Sequence, residues 1–231
     1  MKLAHVNLEN TFIFDDERMI SWLIENSQTY YKYVRELVGQ VQGEIGNFVL
    51  SDKGKTIKIE SDVQIINGPF DISFNSKKIS TMISKRLLKL AVDGENTLKF
   101  DEVSKVLNDY FSELLHELDL PVETEEFQED SIVKAISVKA KESLIFYENL
   151  INYISLVLNL FNPKLLVLVN IKPYVCGDDF EKFMQFLMYE DINVMFVDFF
   201  NQEKVLNFSK TYFLDYDNCE FEYQKGEFTC K

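Results

Sequence analysis

The sequence predicts an α/β protein whose core is a parallel β-sheet built from both ends of the chain. Residues 164–170 form a continuous apolar run, which is typical of a strand covered on both faces and therefore parallel. An amphipathic helix over 177–189 and a second buried strand over 192–200 follow, and this order is that of a βαβ unit with a right-handed crossover. We expect a head made of residues 1–70 and 141–231, from which a helical leg, residues 71–140, projects.

Residues 1–70 are predicted to contribute one helix and two strands to the head. Apolar side chains recur at helical spacing over 15–38, which predicts a helix there. Residues 48–50 and 56–66 are predicted strands, the second because Ile57, Ile59 and Val63 alternate with charged side chains. Gly68-Pro69 ends this block.

The middle of the chain is charged and helical in pattern. Ser76 is a candidate N-cap for a helix that runs to about Val92, where Asp93-Gly94 indicates a stop. A second amphipathic helix is predicted over 100–118, followed by an acidic stretch. The pattern over 142–161 predicts a third long helix, apolar around most of its circumference and therefore buried.

Composition excludes several classes of protein. Of the 231 residues, 46% are hydrophobic, which is enough for a substantial core, while no apolar run approaches the roughly 20 residues that span a bilayer. The first residues lack the pattern of a secretory signal, so we expect a cytoplasmic protein without a membrane segment. The three cysteines form no C-x-x-C pair, which argues against a zinc site or a disulfide framework.

Catalysis is not indicated by any motif. Gly54-Lys55-Thr56 has the form of the end of a phosphate-binding P-loop, but Val49 stands where the first glycine belongs and a strand, not a helix, is predicted to follow. A nucleotide-dependent ATPase therefore remains only an alternative to an ordinary hairpin turn. The two histidines, His5 and His116, sit in no triad or metal-ligand spacing, so we expect a protein that is not an enzyme.

The net charge of −14 limits any nucleic-acid site to a local basic patch. Lysines cluster around one turn at 53–58, along one helix face at 77–89, and again after the acidic stretch at 134–141. Each cluster by itself fits a solvated surface. If identical subunits met around an axis, however, these cations would converge into a positive ring while the outside stayed acidic.

The stretch 113–130 holds eight carboxylates and no Lys or Arg. Such a density of like charge is costly unless it is solvated or neutralised, and calcium neutralises it well because it takes six to eight oxygen ligands. A solvated acidic loop is the alternative, as is an acidic scaffold that recruits protein partners.

Several segments together resemble the type II-A CRISPR-associated family that binds DNA ends during spacer acquisition. The segments are 164–170 with Tyr174-Val175 and 194–197, then 55–58 with 65–71, and finally 117–120, and they stand in the family's order. The resemblance implies an α/β head related to P-loop folds but without ATPase activity, and a helical leg.

The same resemblance implies a ring-shaped, calcium-stabilised homotetramer whose lysine-lined channel admits double-stranded DNA. It also implies a role beside the CRISPR integrase complex and the RNA-guided effector nuclease. Glu117 and Asp119 are the implied calcium ligands, followed by Glu123 and Glu125. The candidate DNA-binding residues come from the basic clusters in the sequence and not from the resemblance; they are Lys53, Lys55, Lys58, Lys77, Lys78, Lys85, Arg86, Lys89 and Lys134.

Overall fold

The computed structural model describes residues 1–15, 18–117, 122, 131, 133, 135, 138, 142–175, 177–200, 210–224 and 227–230. The chain forms two compact units. The first unit combines Met1–Ser73 with Ser143–Lys231, and the second is Phe74–Glu142. No helix among these described residues is long and apolar enough to cross a membrane.

The described elements are, in chain order, β1 Lys2–His5, β2 Phe12–Ile13, β3 Met19–Ile24, α1 Ser27–Val41, β4 Phe48–Asp52, β5 Lys55–Ile57, α2 Ile59–Asp62, β6 Val63–Asn67, α3 Lys77–Ala91, α4 Asn96–Glu117, α5 Phe146–Phe161, β7 Leu165–Val169, α6 Asp178–Tyr189, β8 Asn193–Phe199, β9 Lys210–Leu214, β10 Glu220–Gln224 and β11 Glu227–Cys230. Two 3₁₀ turns, Pro69–Asp71 and Lys172–Tyr174, follow β6 and β7.

A seven-stranded, mostly parallel sheet forms the centre of the first unit. Its strand order is β11-β10-β9-β3-β8-β7-β6, and the five strands from β9 to β6 run parallel. All five residues of β7 are buried, because β6 and β8 flank it and other elements cover both faces of the sheet. The predicted α/β class and the parallel strands at 164–170 and 192–200 are confirmed.

Each face of this sheet has its own cover. Helices α5 and α6 cover one face, where Leu150 and Phe183 share a hydrophobic cluster with Leu166 and Phe196. The other face is covered by α1 and by a four-stranded antiparallel sheet of order β2-β1-β4-β5. Burial of these apolar side chains is the main favourable term in the stability of the unit.

The helix predicted over 15–38 is wrong in its first half. Met19–Ile24 is strand β3, and the helix begins only at Ser27. The six residues of β3 lie between β9 and β8 and face apolar layers on both sides, so burial rather than helical periodicity decides their conformation. Asn26 then starts α1, because its side chain accepts the backbone N–H groups of Gln28 and Thr29.

The single strand predicted over 56–66 is also wrong, since the short helix α2 interrupts it. Residues 55–57 belong to the antiparallel sheet and 63–67 to the parallel one, so the chain must turn between them. The backbone N–H of Asp62 donates to the carbonyl of Lys58 at 2.9 Å and closes this turn. In the same way, the helix predicted from 142 begins at Phe146, because Ile145 is extended and Asn149 bonds back to Ser143.

The described part of the second unit consists mainly of two helices. Ser76 caps α3, accepting the backbone N–H of Ile79 at 3.4 Å, and the helix ends at Ala91 as predicted. Helix α4 begins at Asn96, four residues before the predicted start, and is described as far as Glu117. None of its residues is fully buried.

Candidate nucleic-acid interface

The β4–β5 hairpin carries the first predicted cluster of cations. Its two-residue turn, Lys53-Gly54, has φ of +48° and +77°, which is the type I′ geometry that matches the twist of paired strands. Lys53, Lys55 and Lys58 are exposed, and none of them forms an ion pair with another described residue. Three positive charges therefore stand within six residues, in the turn, in β5 and at the start of α2.

The outward face of the antiparallel sheet holds a further cation, Lys2, whereas Lys55 alternates onto the inward face together with Asp52. Leu3, Leu50 and Ile57 point inward, so alternation places Lys2, Ser51 and Thr56 outward in one register row. None of the residues of β1, β2, β4 and β5 whose side chains point outward is Asp or Glu. Sequence reasoning missed Lys2, although the alternation of buried and exposed residues in Lys2–His5 is a signal that could have identified it.

Helix α3 carries the second predicted cluster. Its fifteen residues include five cations and no carboxylate, and all five cations are exposed. At about 100° per residue they fill roughly half of the helix circumference, while Ile79 lies on the other half and is buried. Lys77, Lys85 and Lys89 form no ion pair with another described residue, and from first to last they span about 18 Å of helix axis.

The structure places these two clusters in different units, the hairpin in the first and α3 in the second. Lys134 lies outside the described residues, as do Asp119, Glu123 and Glu125. Glu117 is exposed at the last residue of α4. No group of three or more His, Cys, Asp or Glu side chains that could hold a metal ion occurs among the residues the structure describes. The predicted calcium site therefore stays a prediction.

The Gly54-Lys55-Thr56 motif is a hairpin turn and not a phosphate loop. A P-loop joins a parallel strand to the N-terminus of a helix, whose free N–H groups cradle phosphate. Of the parallel strands, β3 leads most directly into a helix, and its connection to α1 consists of Glu25-Asn26 without a glycine. Asn26 Oδ1 accepts the N–H groups of Gln28 and Thr29 at 3.0 and 3.2 Å, so its side chain already occupies those helix donors.

A buried ion pair lies at the carboxyl ends of the parallel strands, where open α/β sheets usually bind ligands. Lys172 Nζ is 3.0 Å from Asp198 Oδ2, donates to Ser21 Oγ at 2.9 Å and lies 5.4 Å from the Phe196 ring centroid. Both charged side chains are only 9% exposed. Burial and the nearby Asp198 carboxylate raise the pKa of Tyr30 to about 12. Sequence reasoning missed this pair, although an aspartate near the end of a buried strand is a recognisable signal.

Comparison with known proteins bears on the predicted family. No curated protein matches the chain at a significant level. The family model described as CRISPR-associated protein (Cas_Csn2) matches residues 40–218, which include the hairpin, α3 and the buried ion pair. This match covers well over half of the 231 residues. The chain therefore belongs to the Cas_Csn2 family of CRISPR-associated proteins, as its resemblance to a type II-A family predicts.

Proposed function

We propose that this protein is a non-catalytic factor in CRISPR spacer acquisition that grips the ends of double-stranded DNA without sequence specificity. One observation carries the proposal: exposed cations without ion-pair partners among the described residues concentrate on the β4–β5 hairpin and on α3, in a chain of net charge −14. Lys and Arg contacts to phosphate supply most of the free energy of non-specific binding. Such contacts carry no sequence information and permit sliding.

Self-assembly would reconcile the charge distribution with DNA binding. One copy offers a few cations against a large excess of carboxylates, whereas a ring-shaped homotetramer would bring four sets of cations to one inner surface. Helix α4 supports this assembly because Val103, Val106, Tyr110 and Leu114 are exposed on one side of it. A stripe of that kind is a common sign of a protein contact. Val106→Glu should therefore lower the particle mass measured by light scattering.

Calcium would act structurally in this proposal. Carboxylates such as Glu117, Asp119, Glu123 and Glu125 would bind the ion, and neutralising them would lower repulsion within the acidic stretch. The test is to measure particle mass and DNA binding before and after chelation with EGTA. A loss of both that calcium restores and magnesium does not is the expected outcome.

A nucleotide-dependent ATPase is the alternative that the Gly54-Lys55-Thr56 motif raises. The hairpin geometry of the motif and the cap at Asn26 weigh against it, because Lys55 and Thr56 lie in strand β5 rather than at a helix N-terminus, and the Asn26 side chain already accepts N–H groups of the first turn of α1. Calorimetry with ATP and magnesium separates the two functions. Binding heat together with hydrolysis would favour the ATPase.

An acidic scaffold is the other alternative, in which DNA binding would be incidental. Replacing Lys53, Lys55 and Lys58 with Gln should abolish spacer acquisition in cells without changing the particle mass. If acquisition persisted, the basic hairpin would be dispensable and the scaffold would be favoured. The proposed handover of DNA to the integrase complex and the effector nuclease also requires intact DNA binding.

The topology of the DNA gives the sharpest test. A ring threads onto linear duplex at a free end but cannot thread onto a closed circle. Gel shifts at low salt with calcium should therefore show binding to a linear fragment and much weaker binding to the same fragment ligated into a circle. Equal binding to both forms would overturn the threading mechanism, and binding to neither would overturn the DNA function.

A further inference from the structure

The carboxyl-terminal edge of the parallel sheet exposes a row of aromatic side chains, here called the aromatic edge. Phe70 is 93% exposed, Tyr174 47%, Phe199 48% and Tyr216 66%. Phe199 is the last residue of β8, Phe70 and Tyr174 lie in the 3₁₀ turns that follow β6 and β7, and Tyr216 lies two residues after β9, so all four belong to the same edge of the sheet. At about 4.8 Å between strands, the row extends over roughly 19 Å.

At the β9 end of the row, hydrogen bonds hold Tyr216 in place. Its backbone N–H donates to Glu25 Oε2 at 3.0 Å, and its carbonyl accepts from Asn26 Nδ2 at 3.3 Å. Phe199 lies next along the row, with its ring centroid 6.1 Å from that of Tyr30 in an edge-to-face contact. This part of the edge is therefore ordered before any partner arrives, which lowers the entropic cost of binding.

The other end of the row is held in a similar way. The 3₁₀ turn that contains Phe70 is fixed by the N–H of Asn67, which donates to Asp71 Oδ2 at 3.0 Å. The centroid of the Tyr174 ring lies 5.9 Å from that of Phe146 in α5, so Tyr174 lies toward the face of the sheet that α5 covers, whereas Phe199 lies toward the face that α1 covers. One exposed phenylalanine is ordinary on a protein surface, but several exposed aromatic side chains at one edge of a sheet are typical of an interaction surface.

The aromatic edge is also acidic. The described residues of the loops that leave the five strand ends, with the first two residues of α6, contribute six carboxylates: Glu25, Asp71, Asp178, Asp179, Asp215 and Asp217. Lys172 is the one cation in this set, and Asp198 neutralises it, while Lys182 of α6 pairs with Asp179 at 3.5 Å. Phosphate would be repelled here, so this edge is not a second DNA surface.

We infer that the aromatic edge docks a basic segment of a different protein, one in which Arg or Lys alternates with apolar side chains. Guanidinium groups stack on exposed aromatic rings and pair with the surrounding carboxylates, while the apolar side chains cover the rings. This inference does not depend on the proposed DNA function, because it concerns different residues.

A second copy of the chain fits this edge less well than a different protein does. The chain's own basic hairpin lies at the opposite edge of the sheet, where Lys164, just before β7, is 3.9 Å from Asp52 of the hairpin. Docking of the hairpin would bring Asp52 and a chain of net charge −14 against an edge that already holds six carboxylates, and this like charge opposes the contact.

Fluorescence anisotropy with the full chain tests the inference. The probe is a labelled twelve-residue peptide of alternating Arg and Leu, and its control is a peptide of alternating Glu and Leu. Phe70→Ser with Tyr216→Ser, and separately Asp178→Lys with Asp217→Lys, should each weaken binding of the basic peptide about 10-fold. The acidic peptide should not bind.

Matched control variants decide whether the peptide binds at this edge. Tyr189→Ser removes an equally exposed aromatic side chain elsewhere, and Glu44→Lys with Glu60→Lys makes the same change in net charge. Both controls should bind the peptide as the wild type does. Equal losses in the controls would mean diffuse attraction to an anionic chain and would overturn the proposal, as would edge variants that bind normally.

Two further measurements separate this surface from the others. The edge variants should still bind linear DNA, whereas the hairpin variant with Lys53, Lys55 and Lys58 replaced by Gln should lose DNA and keep the peptide. Sedimentation, which measures the particle mass, tests whether a second copy of the chain occupies the edge instead of a different protein. If the edge variants change the particle mass, a second copy occupies the edge and the proposal of a separate partner is wrong.

Discussion

Replacing three lysines of α3 tests whether this helix contacts DNA. Lys77, Lys85 and Lys89 are exposed and form no ion pair with another described residue, so the triple change to Gln removes cations without breaking a known contact. Exposed substitutions of this kind usually change stability by less than about 0.5 kcal/mol. Any large change in DNA affinity would therefore report lost phosphate contacts rather than unfolding.

The expected magnitude follows from counterion release. The three lysines span about 18 Å of helix axis, and a duplex carries one phosphate charge per roughly 1.7 Å, so each lysine has phosphates within reach. Each contact contributes about 0.9 to the slope of log K against log salt, and three contacts contribute about 2.7. Between 50 and 200 mM salt, the ratio of wild-type to variant affinity should then shrink by about 40-fold.

The assay is the anisotropy of a labelled blunt duplex titrated at four salt concentrations in that range. A matched control replaces Arg35, Lys99 and Lys105 with Gln, which makes the same change in net charge at exposed side chains that also form no ion pair with another described residue. The control should keep the wild-type slope. An unchanged slope in the α3 variant, or an equal change in the control, would refute α3 as a DNA-contacting helix.

Three further outcomes follow from the first unit. Lys172→Ala should lower the free energy of unfolding in urea by about 3–5 kcal/mol because it leaves the buried Asp198 carboxylate without its cation, and a loss below about 1 kcal/mol would contradict the buried pair. Burial raises the pKa of Glu36, but hydrogen bonds from Asn47 and from His5 outweigh burial and lower it below 4.5 overall. The stability that the ionised Glu36 contributes is therefore complete above about pH 4.5 and is lost as the pH falls through the lowered pKa. Glu36→Gln should have a lower melting temperature than the wild type at pH 7, and the difference between the two melting temperatures should narrow toward pH 3. Gly54→Ala should lower the free energy of unfolding, measured by thermal denaturation, by about 1–2 kcal/mol because φ at this position is +77°. An unchanged melting temperature would argue against the type I′ turn.

The parts of the fold that the sequence predicted correctly are those with a local signal. Residues 164–170 and 192–200 form strands because a short apolar run without helical periodicity is stable when both faces are covered. The limits of α3 were predictable because Ser76 caps it and Asp93-Gly94 follows its end.

The errors have one physical origin, which is that tertiary burial overrides local periodicity. The six residues of β3 look helical when they are read together with α1, because their apolar side chains fall near the spacing of the helix that follows. The signal that separates them is the polar pair Glu25-Asn26. No strand was predicted over Lys2–His5 or after residue 200, since these strands depend on pairing with distant parts of the chain.

The residues of the candidate site also divide into those with a local signal in the sequence and those that only the tertiary structure brings together. Exposed lysines on the hairpin and on α3 were predictable, because a charged turn and a charged helix face are local patterns. The Lys172–Asp198 pair and the aromatic edge were not, because only the strand order brings their members to one edge of the sheet.

A single-particle image of the purified protein in calcium tests the central claim most directly, namely that an anionic chain binds DNA through cations gathered from several copies. The account predicts closed particles with a central opening of about 20 Å, the width of a B-form duplex. Particles the size of one chain, with no opening, would contradict it.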